Sequence, residues 1–196
     1  MSTDAEEVAP RGASGSRARS DCAQLGTDPE EAARAVALRL LTGAPRSRAQ
    51  LTAALAARGV PDDAAARVLD RFTEVGLVDD DAYAQMLVRS RHAGRGLSRR
   101  ALAVELRRRG VDDSTAAEAV AQVGDADEVE AARRLVTRAL ASTRGLDTTT
   151  RTRRTLAALG RRGYPPGLAF RLIREVLTTE GTAGDAALPD DALPDE

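Results

Sequence analysis

Apolar residues recur at helical spacing along the chain, and the same pattern occurs three times. In each copy, apolar residues stand at i, i+4 and i+7, which is the spacing of a helix that buries one stripe. The three sets are Ala65, Leu69 and Phe72; Ala116, Val120 and Val123; and Ala169, Ile173 and Val176. No segment shows the alternation or the β-branched richness of a strand. The pattern therefore predicts an all-α fold.

An Arg-Gly pair precedes each of these helices. The glycines are Gly59, Gly110 and Gly163, spaced 51 and 53 residues apart, and a leucine stands four residues before each one. A glycine after a basic last turn is typical of the residue that follows a helix C-terminus. We therefore expect a helix to end before each glycine and another to begin just after it, at Pro61-Asp62, Asp112-Asp113 and Pro165.

A further helix is predicted before each Arg-Gly helix. Asp28-Pro-Glu-Glu31 has the pattern of a capping box with proline at the first helical position. Asp79-Asp-Asp81 and Asp127-Glu128 provide acidic starts for the second and third copies. The predicted unit is a three-helix repeat, used over residues 28–78, 79–126 and 127–178. Stacked repeats of this kind form elongated, curved bodies with extended binding surfaces.

The two ends of the chain lack the large apolar residues that a core requires. Residues 1–27 are rich in Ser, Gly and Ala, and residues 179–196 contain six acidic residues and no Arg. Such segments bury too little apolar surface to offset the entropy of ordering. We therefore expect disordered tails at both ends, the second of them acidic.

Charge is unevenly distributed along the chain, although the formal net charge is only −1. Residues 82–178 hold 19 Arg against 10 acidic residues, whereas residues 28–81 hold 7 Arg against 10. A basic body with an acidic tail indicates an anionic partner, and the alternative is a merely solvated helical surface. The single cysteine, Cys22, and the polar N-terminus favour a cytoplasmic protein.

The candidate catalytic groups are few and have simpler explanations. His92 is the only histidine and cannot build a metal site alone. Asp79–Asp81 precede a helix, where carboxylates cap free N–H groups, so capping is favoured over metal binding. Gly94-Arg-Gly96 follows no predicted strand, and a chain without Lys has no Walker A motif. We expect no enzymatic activity, no catalytic residues, no metal and no cofactor.

Arginines form ridges on the Arg-Gly helices of the second and third repeats. Arg100, Arg107 and Arg108 stand at i, i+7 and i+8, and Arg154, Arg161 and Arg162 repeat this spacing. The matching first-repeat positions Gln50, Ala57 and Arg58 are mostly neutral. Guanidinium groups bind phosphate and carboxylate equally well, so both partners stay open. The candidate partner-binding residues are Arg99, Arg100, Arg107, Arg108, Arg109, Arg153, Arg154, Arg161 and Arg162.

Two motifs resemble those of the RecX family, which regulates the bacterial recombinase RecA. They are Glu74-Val-Gly-Leu-Val-Asp-Asp80 followed by Tyr83-Ala84, and Glu105-Leu-Arg-Arg-Arg-Gly-Val111. The resemblance extends over residues 28–178. The chain departs from the family pattern at Arg109, where a Lys is usual, and at Thr155, where the other two repeats have Leu51 and Leu102.

The resemblance implies a non-enzymatic regulator, mainly an inhibitor, that binds in the groove of the RecA–single-stranded DNA filament. There it would dampen ATP hydrolysis and strand exchange, and so regulate DNA repair, recombination and the SOS response. The implied partners are the RecA filament and single-stranded DNA, and we expect a cytoplasmic monomer that does not bind membranes. The competing hypotheses are an independent helix-turn-helix DNA-binding module and a structural scaffold.

Overall fold

The described part of the chain is entirely helical. A computed structural model describes residues 28–185, and the side chains of residues 28–181. These residues contain nine α-helices and no strand, which confirms the predicted fold class. The helices are α1 (Pro29–Gly43), α2 (Arg48–Ala56), α3 (Asp62–Glu74), α4 (Asp80–Arg95), α5 (Arg99–Arg108), α6 (Asp113–Ala121), α7 (Asp125–Ala141), α8 (Thr148–Gly160) and α9 (Pro166–Asp185). The predicted disorder of residues 1–27 and 186–196 lies outside the described residues.

The helices pack in three groups of three, each around its own apolar core. Helices α1–α3 form the first group, α4–α6 the second and α7–α9 the third. The chain divides into two compact units, of which one ends at Asp79 and the other begins at Asp80. The first unit therefore contains one three-helix group, and the second unit contains two.

The three Arg-Gly turns share one backbone geometry. Gly59, Gly110 and Gly163 have φ values of +77°, +73° and +84°, in the left-handed region that glycine adopts without strain. The N–H of the following residue donates to the leucine carbonyl four residues before the glycine in all three turns. Those leucines, at positions 55, 106 and 159, are fully buried. The predicted helix ends are therefore confirmed.

Side-chain caps begin several of the helices. The Asp28 carboxylate accepts the N–H of Glu30, and the reciprocal capping box forms at Ser47 and Gln50 instead of at Asp28. Asp112 accepts the N–H groups of Ser114 and Thr115 at the start of α6. These bonds satisfy N–H groups that have no partner within the helix.

Two predicted boundaries are wrong. Helix α7 begins at Asp125 rather than Asp127, because the extended backbone of Gly124 provides its N-cap. Helix α9 continues to Asp185, beyond residue 178, where the sequence predicts the start of a disordered tail. Within this extension, Glu180 accepts a 2.6 Å hydrogen bond from the guanidinium of Arg151, which also donates to the Leu140 carbonyl at 3.2 Å, so a tertiary contact ties the end of α9 to the rest of the repeat.

Within the second unit, the second and third groups are joined at the turn between α4 and α5. The Ser98 N–H donates to the Arg162 carbonyl at 3.0 Å, and Arg162 Nε donates to the Arg95 carbonyl at 3.0 Å. Gly163 lies so close to this turn that an added Cβ would be 2.5 Å from Ser98 Oγ. The two groups are therefore held together next to the predicted arginine ridges.

Candidate anion-binding surface of the second and third repeats

The nine arginines predicted to bind a partner fall into two classes, according to what their guanidinium groups contact. One class is bound to other parts of the fold, and the second is exposed to solvent. The distinction matters because a guanidinium that is already held by carboxylate or carbonyl oxygens has fewer donors left for a partner.

Arg99 connects α5 to α7. Its Nε donates to Glu128 Oε2 at 2.9 Å, its backbone N–H donates to Glu128 Oε1 at 2.8 Å, and its guanidinium also pairs with Asp125. The hydrogen bond and charge of Glu128, with a smaller contribution from Asp125, raise the pKa of Arg99. We therefore assign Arg99 to positioning the third repeat rather than to contacting a partner.

Arg109 is held within the second repeat. Its guanidinium donates to the Tyr83 hydroxyl at 2.8 Å and to Glu105 Oε1 at 2.7 Å. Burial lowers the pKa of Arg109, but the bonds to Tyr83 and Glu105 outweigh that effect, and the pKa is raised overall. Glu105 also accepts a bond from Arg91 at 3.1 Å. Arg109 therefore stabilises the packing of α4 against α5.

Arg162 donates hydrogen bonds to the C-terminal end of its own helix and to the end of α4, next to the turn between α4 and α5. In addition to its bond to the Arg95 carbonyl, its Nη1 donates to the Ala158 carbonyl at 3.2 Å. Arg58 in the first repeat donates in the same way to the Ala54 carbonyl, at 2.7 Å. This shared arrangement satisfies carbonyl groups at helix C-termini. Its presence in two repeats indicates a structural role.

The remaining predicted residues are exposed. Arg107 pairs with Asp113 at 2.6 Å, and both side chains are largely in solvent. The others form no ion pair with any residue that the structure describes, and their donors are available to a partner. They are Arg100, Arg108, Arg153, Arg154 and Arg161.

The predicted ridge on α5 is divided between two faces of the helix. Arg100, Val104 and Arg108 stand at i, i+4 and i+8 and line a cleft of about 710 Å³ together with Arg161 from the third repeat. Arg107 does not line this cleft and faces Asp113 at the start of α6. Spacing alone grouped Arg107 with Arg100, but the fold separates them.

A second cleft, of about 440 Å³, lies between the end of α4, α7 and the end of α8. Arg95 and Arg161 line both clefts, and none of the described residues that line the second cleft is acidic. Sequence reasoning missed three arginines here: Arg95, Arg134 and Arg138. They stand outside the aligned Arg-Gly helices, and the only available signal was the i, i+4 spacing of Arg134 and Arg138 on α7.

His92 and the aspartate run have structural partners. His92 Nδ1 lies 3.0 Å from the Leu97 carbonyl, which can only accept, so Nδ1 carries the proton. Asp81 accepts a bond from the Thr115 hydroxyl at 2.9 Å, linking α4 to α6. Within residues 28–181, no group of three or more His, Cys, Asp or Glu side chains could hold a metal ion. None of the described helices is both long enough and apolar enough to cross a membrane.

Comparison with known proteins identifies the three-helix groups individually. Family models for the first, second and third three-helix domains of RecX match residues 33–72, 79–120 and 126–173. The chain is 57% identical over 159 residues to the regulatory protein RecX of Thermobifida fusca, covering 81% of this chain and 86% of that protein. It is 50% identical over 176 residues to the regulatory protein RecX of Streptomyces coelicolor, covering 90% and 94%.

Solved structures show the same fold at low sequence identity. The crystal structure of RecX from Lactobacillus salivarius matches with a TM-score of 0.67 at 18% identity, over 77% of this chain and 98% of that one. A second crystal structure, of a regulatory protein RecX, matches with a TM-score of 0.68 at 20% identity, over 76% and 74%. The names of the relatives confirm the expectation of a regulator rather than an enzyme. With all three domains matched and half or more of the aligned residues identical to those of these relatives, the chain belongs to the RecX family of regulatory proteins.

Proposed function

We propose that this chain regulates the RecA recombinase by binding the RecA–single-stranded DNA filament and dampening its ATP hydrolysis and strand exchange. The observation that carries the proposal is the match of all three three-helix domains to RecX. In this proposal the chain acts in the cytoplasm as a monomer. Its contacts with the filament are non-covalent, and it has no catalytic step of its own.

The exposed arginines support a role for the second and third repeats in this binding. Arg100 and Arg108 on α5, and Arg153 and Arg154 on α8, are exposed and unpaired among the described residues. Both RecA carboxylates and DNA phosphates accept bonds from guanidinium groups. Several such contacts on one chain add their effects, so modest individual contacts give useful affinity.

A co-sedimentation assay with RecA filaments assembled on single-stranded DNA tests the proposal. The wild-type chain should sediment with the filament, and Arg100→Ala with Arg108→Ala should weaken binding by about tenfold or more, because charge-assisted bonds are lost. The control is Arg107→Ala, one residue away on α5, which is compared with Arg100→Ala and Arg108→Ala made singly so that each variant loses one charge. The Arg107 guanidinium is paired with Asp113, so its loss should weaken binding less.

The same assay separates this function from an independent DNA-binding module. A DNA-binding module would bind the oligonucleotide equally well with and without RecA. A filament regulator should bind the RecA–DNA complex more tightly than either component alone. Failure of the wild-type chain to sediment with the filament would refute the proposal.

A further inference from the structure

Among the described residues, the cleft between α4, α7 and α8 is lined by positively charged side chains and by no acidic one. Its described lining contains five arginines and one histidine, and no aspartate or glutamate. A cleft lined by charges of one sign attracts ions of the opposite sign, because its low-dielectric walls focus the electric field. The described lining therefore offers several cationic donors to an anion and no acidic side chain that would compete for them.

The guanidinium groups in this cleft differ in how far they are already engaged. Arg162 is fixed by two backbone carbonyls, and Arg134 has one long contact, 3.5 Å, to Glu130. Arg95, Arg138 and Arg161 are exposed and form no ion pair with a described residue. The three guanidinium groups without an ion pair to a described residue therefore come from three helices: Arg95 from the end of α4, Arg138 from α7 and Arg161 from the end of α8.

Two walls of the cleft are in close contact beside Gly96. Gly96, with φ of +61°, packs so tightly on α7 that an added Cβ would lie 3.0 Å from Leu135 Cδ1. The His92 ring bonds to the Leu97 carbonyl across the same turn. A site whose side chains are carried on fixed backbone loses less entropy when a ligand binds.

We propose that this cleft binds phosphate oxyanions, taking two or more neighbouring phosphates of an oligophosphate or of a nucleic-acid backbone. A phosphate group presents oxygens in several directions and can accept bonds from guanidinium groups on α4, α7 and α8 together. A single carboxylate has only two oxygens, which lie in one plane. The volume of about 440 Å³ is within the range of small-ligand sites, about 300–1,000 Å³. Binding of a free oligophosphate goes beyond the regulatory function proposed above, whereas binding of a nucleic-acid backbone rests on that function and names residues that would contact the DNA. The site itself requires no RecA.

Titration of the full-length chain with inorganic tripolyphosphate tests the site directly. Tripolyphosphate should bind at one equivalent by calorimetry and raise the midpoint of thermal unfolding, because the ligand binds only the folded state. Arg95→Ala with Arg138→Ala should weaken binding by about tenfold or more and abolish the midpoint shift. The control is Arg89→Ala with Arg144→Ala, which removes the same charge from two exposed residues that do not line the cleft.

A second arm distinguishes the two sources of phosphate. A fluorescent oligothymidylate should lose affinity in the Arg95/Arg138 variant and should be displaced by tripolyphosphate if the cleft takes a nucleic-acid backbone. Tripolyphosphate binding without oligothymidylate binding would assign the cleft to free oligophosphates. Equal binding by the cleft variant and the control variant would overturn the proposal. Neither arm contains RecA, so the result is independent of filament regulation.

Discussion

The N–H of Ser98 donates to the carbonyl oxygen of Arg162 across 3.0 Å, joining the start of one Arg-Gly helix to the end of the next. Ser98 is buried, and its hydroxyl caps α5 through the N–H of Ala101. The same serine therefore begins a helix in the second repeat and fixes the helix end of the third. Residues at this contact line the two clefts, so a substitution that disrupts the contact should alter both clefts.

Gly163→Ala should separate the second and third repeats. An alanine Cβ at a φ of +84° is strained, and it would lie 2.5 Å from Ser98 Oγ and 2.8 Å from the Ala101 Cβ. We expect the free energy of unfolding to fall by about 2 kcal/mol or more in urea denaturation. Gly160→Ala is the control, since it is helical with nothing within 4 Å of its added Cβ. That variant should be neutral or stabilised by up to about 1 kcal/mol.

Thr155→Val should stabilise the third repeat. Thr155 occupies the buried position that holds Leu51 and Leu102 in the other repeats, and its hydroxyl has no hydrogen-bond partner among the described residues. Valine has the same shape without the buried polar atom, so the free energy of unfolding should rise by about 1 kcal/mol. Thr155→Ala should instead lower it, through the cavity. A destabilised valine variant would show that the hydroxyl has a partner in solution.

Glu180→Gln should destabilise the protein by about 2–3 kcal/mol in chemical denaturation. The change leaves the guanidinium of Arg151, only 12% exposed, without its carboxylate partner. Glu175→Gln on the same helix is the control, since its pair with Arg133 is 43% exposed on both sides and should contribute less than about 1 kcal/mol. Equal effects would mean that α9 does not extend to Glu180 in solution.

Asp112→Asn should flatten the acid dependence of stability. Hydrogen bonds from Ser114 and Thr115 hold the pKa of Asp112 well below its usual value of 3.8. A lowered pKa in the folded state contributes stability that is present above pH 3.8 and is lost as the pH falls towards the folded-state pKa. Asn also caps helices but does not titrate. Unfolding free energies measured from pH 7 to pH 2 should therefore fall less steeply in the variant, and an unchanged slope would contradict this assignment.

Local sequence features were enough to predict the helices and their ends, whereas tertiary contacts determine which arginines are exposed and which are already bound. Gly59, Gly110 and Gly163 could be predicted to end helices because backbone conformation and neighbouring residues alone determine that role. The engagement of Arg99 could not, because its partner Glu128 lies 29 residues away. Arg95 and Arg138 could not be predicted as site residues for the same reason, because it is the packing of α4 against α7 and α8 that brings them to one cleft. The spacing of residues along one helix does not show which residues of other helices lie beside them.

Whether this chain dampens RecA can be measured as ATP hydrolysis by RecA on single-stranded DNA with increasing amounts of the chain. Wild type should lower the steady-state rate in a dose-dependent manner. The Arg100→Ala, Arg108→Ala variant should require about tenfold more protein for the same effect. Arg107→Ala should remain close to wild type. A RecA ATPase rate that the wild-type protein leaves unchanged at saturating concentration would show that the chain does not regulate RecA in this way.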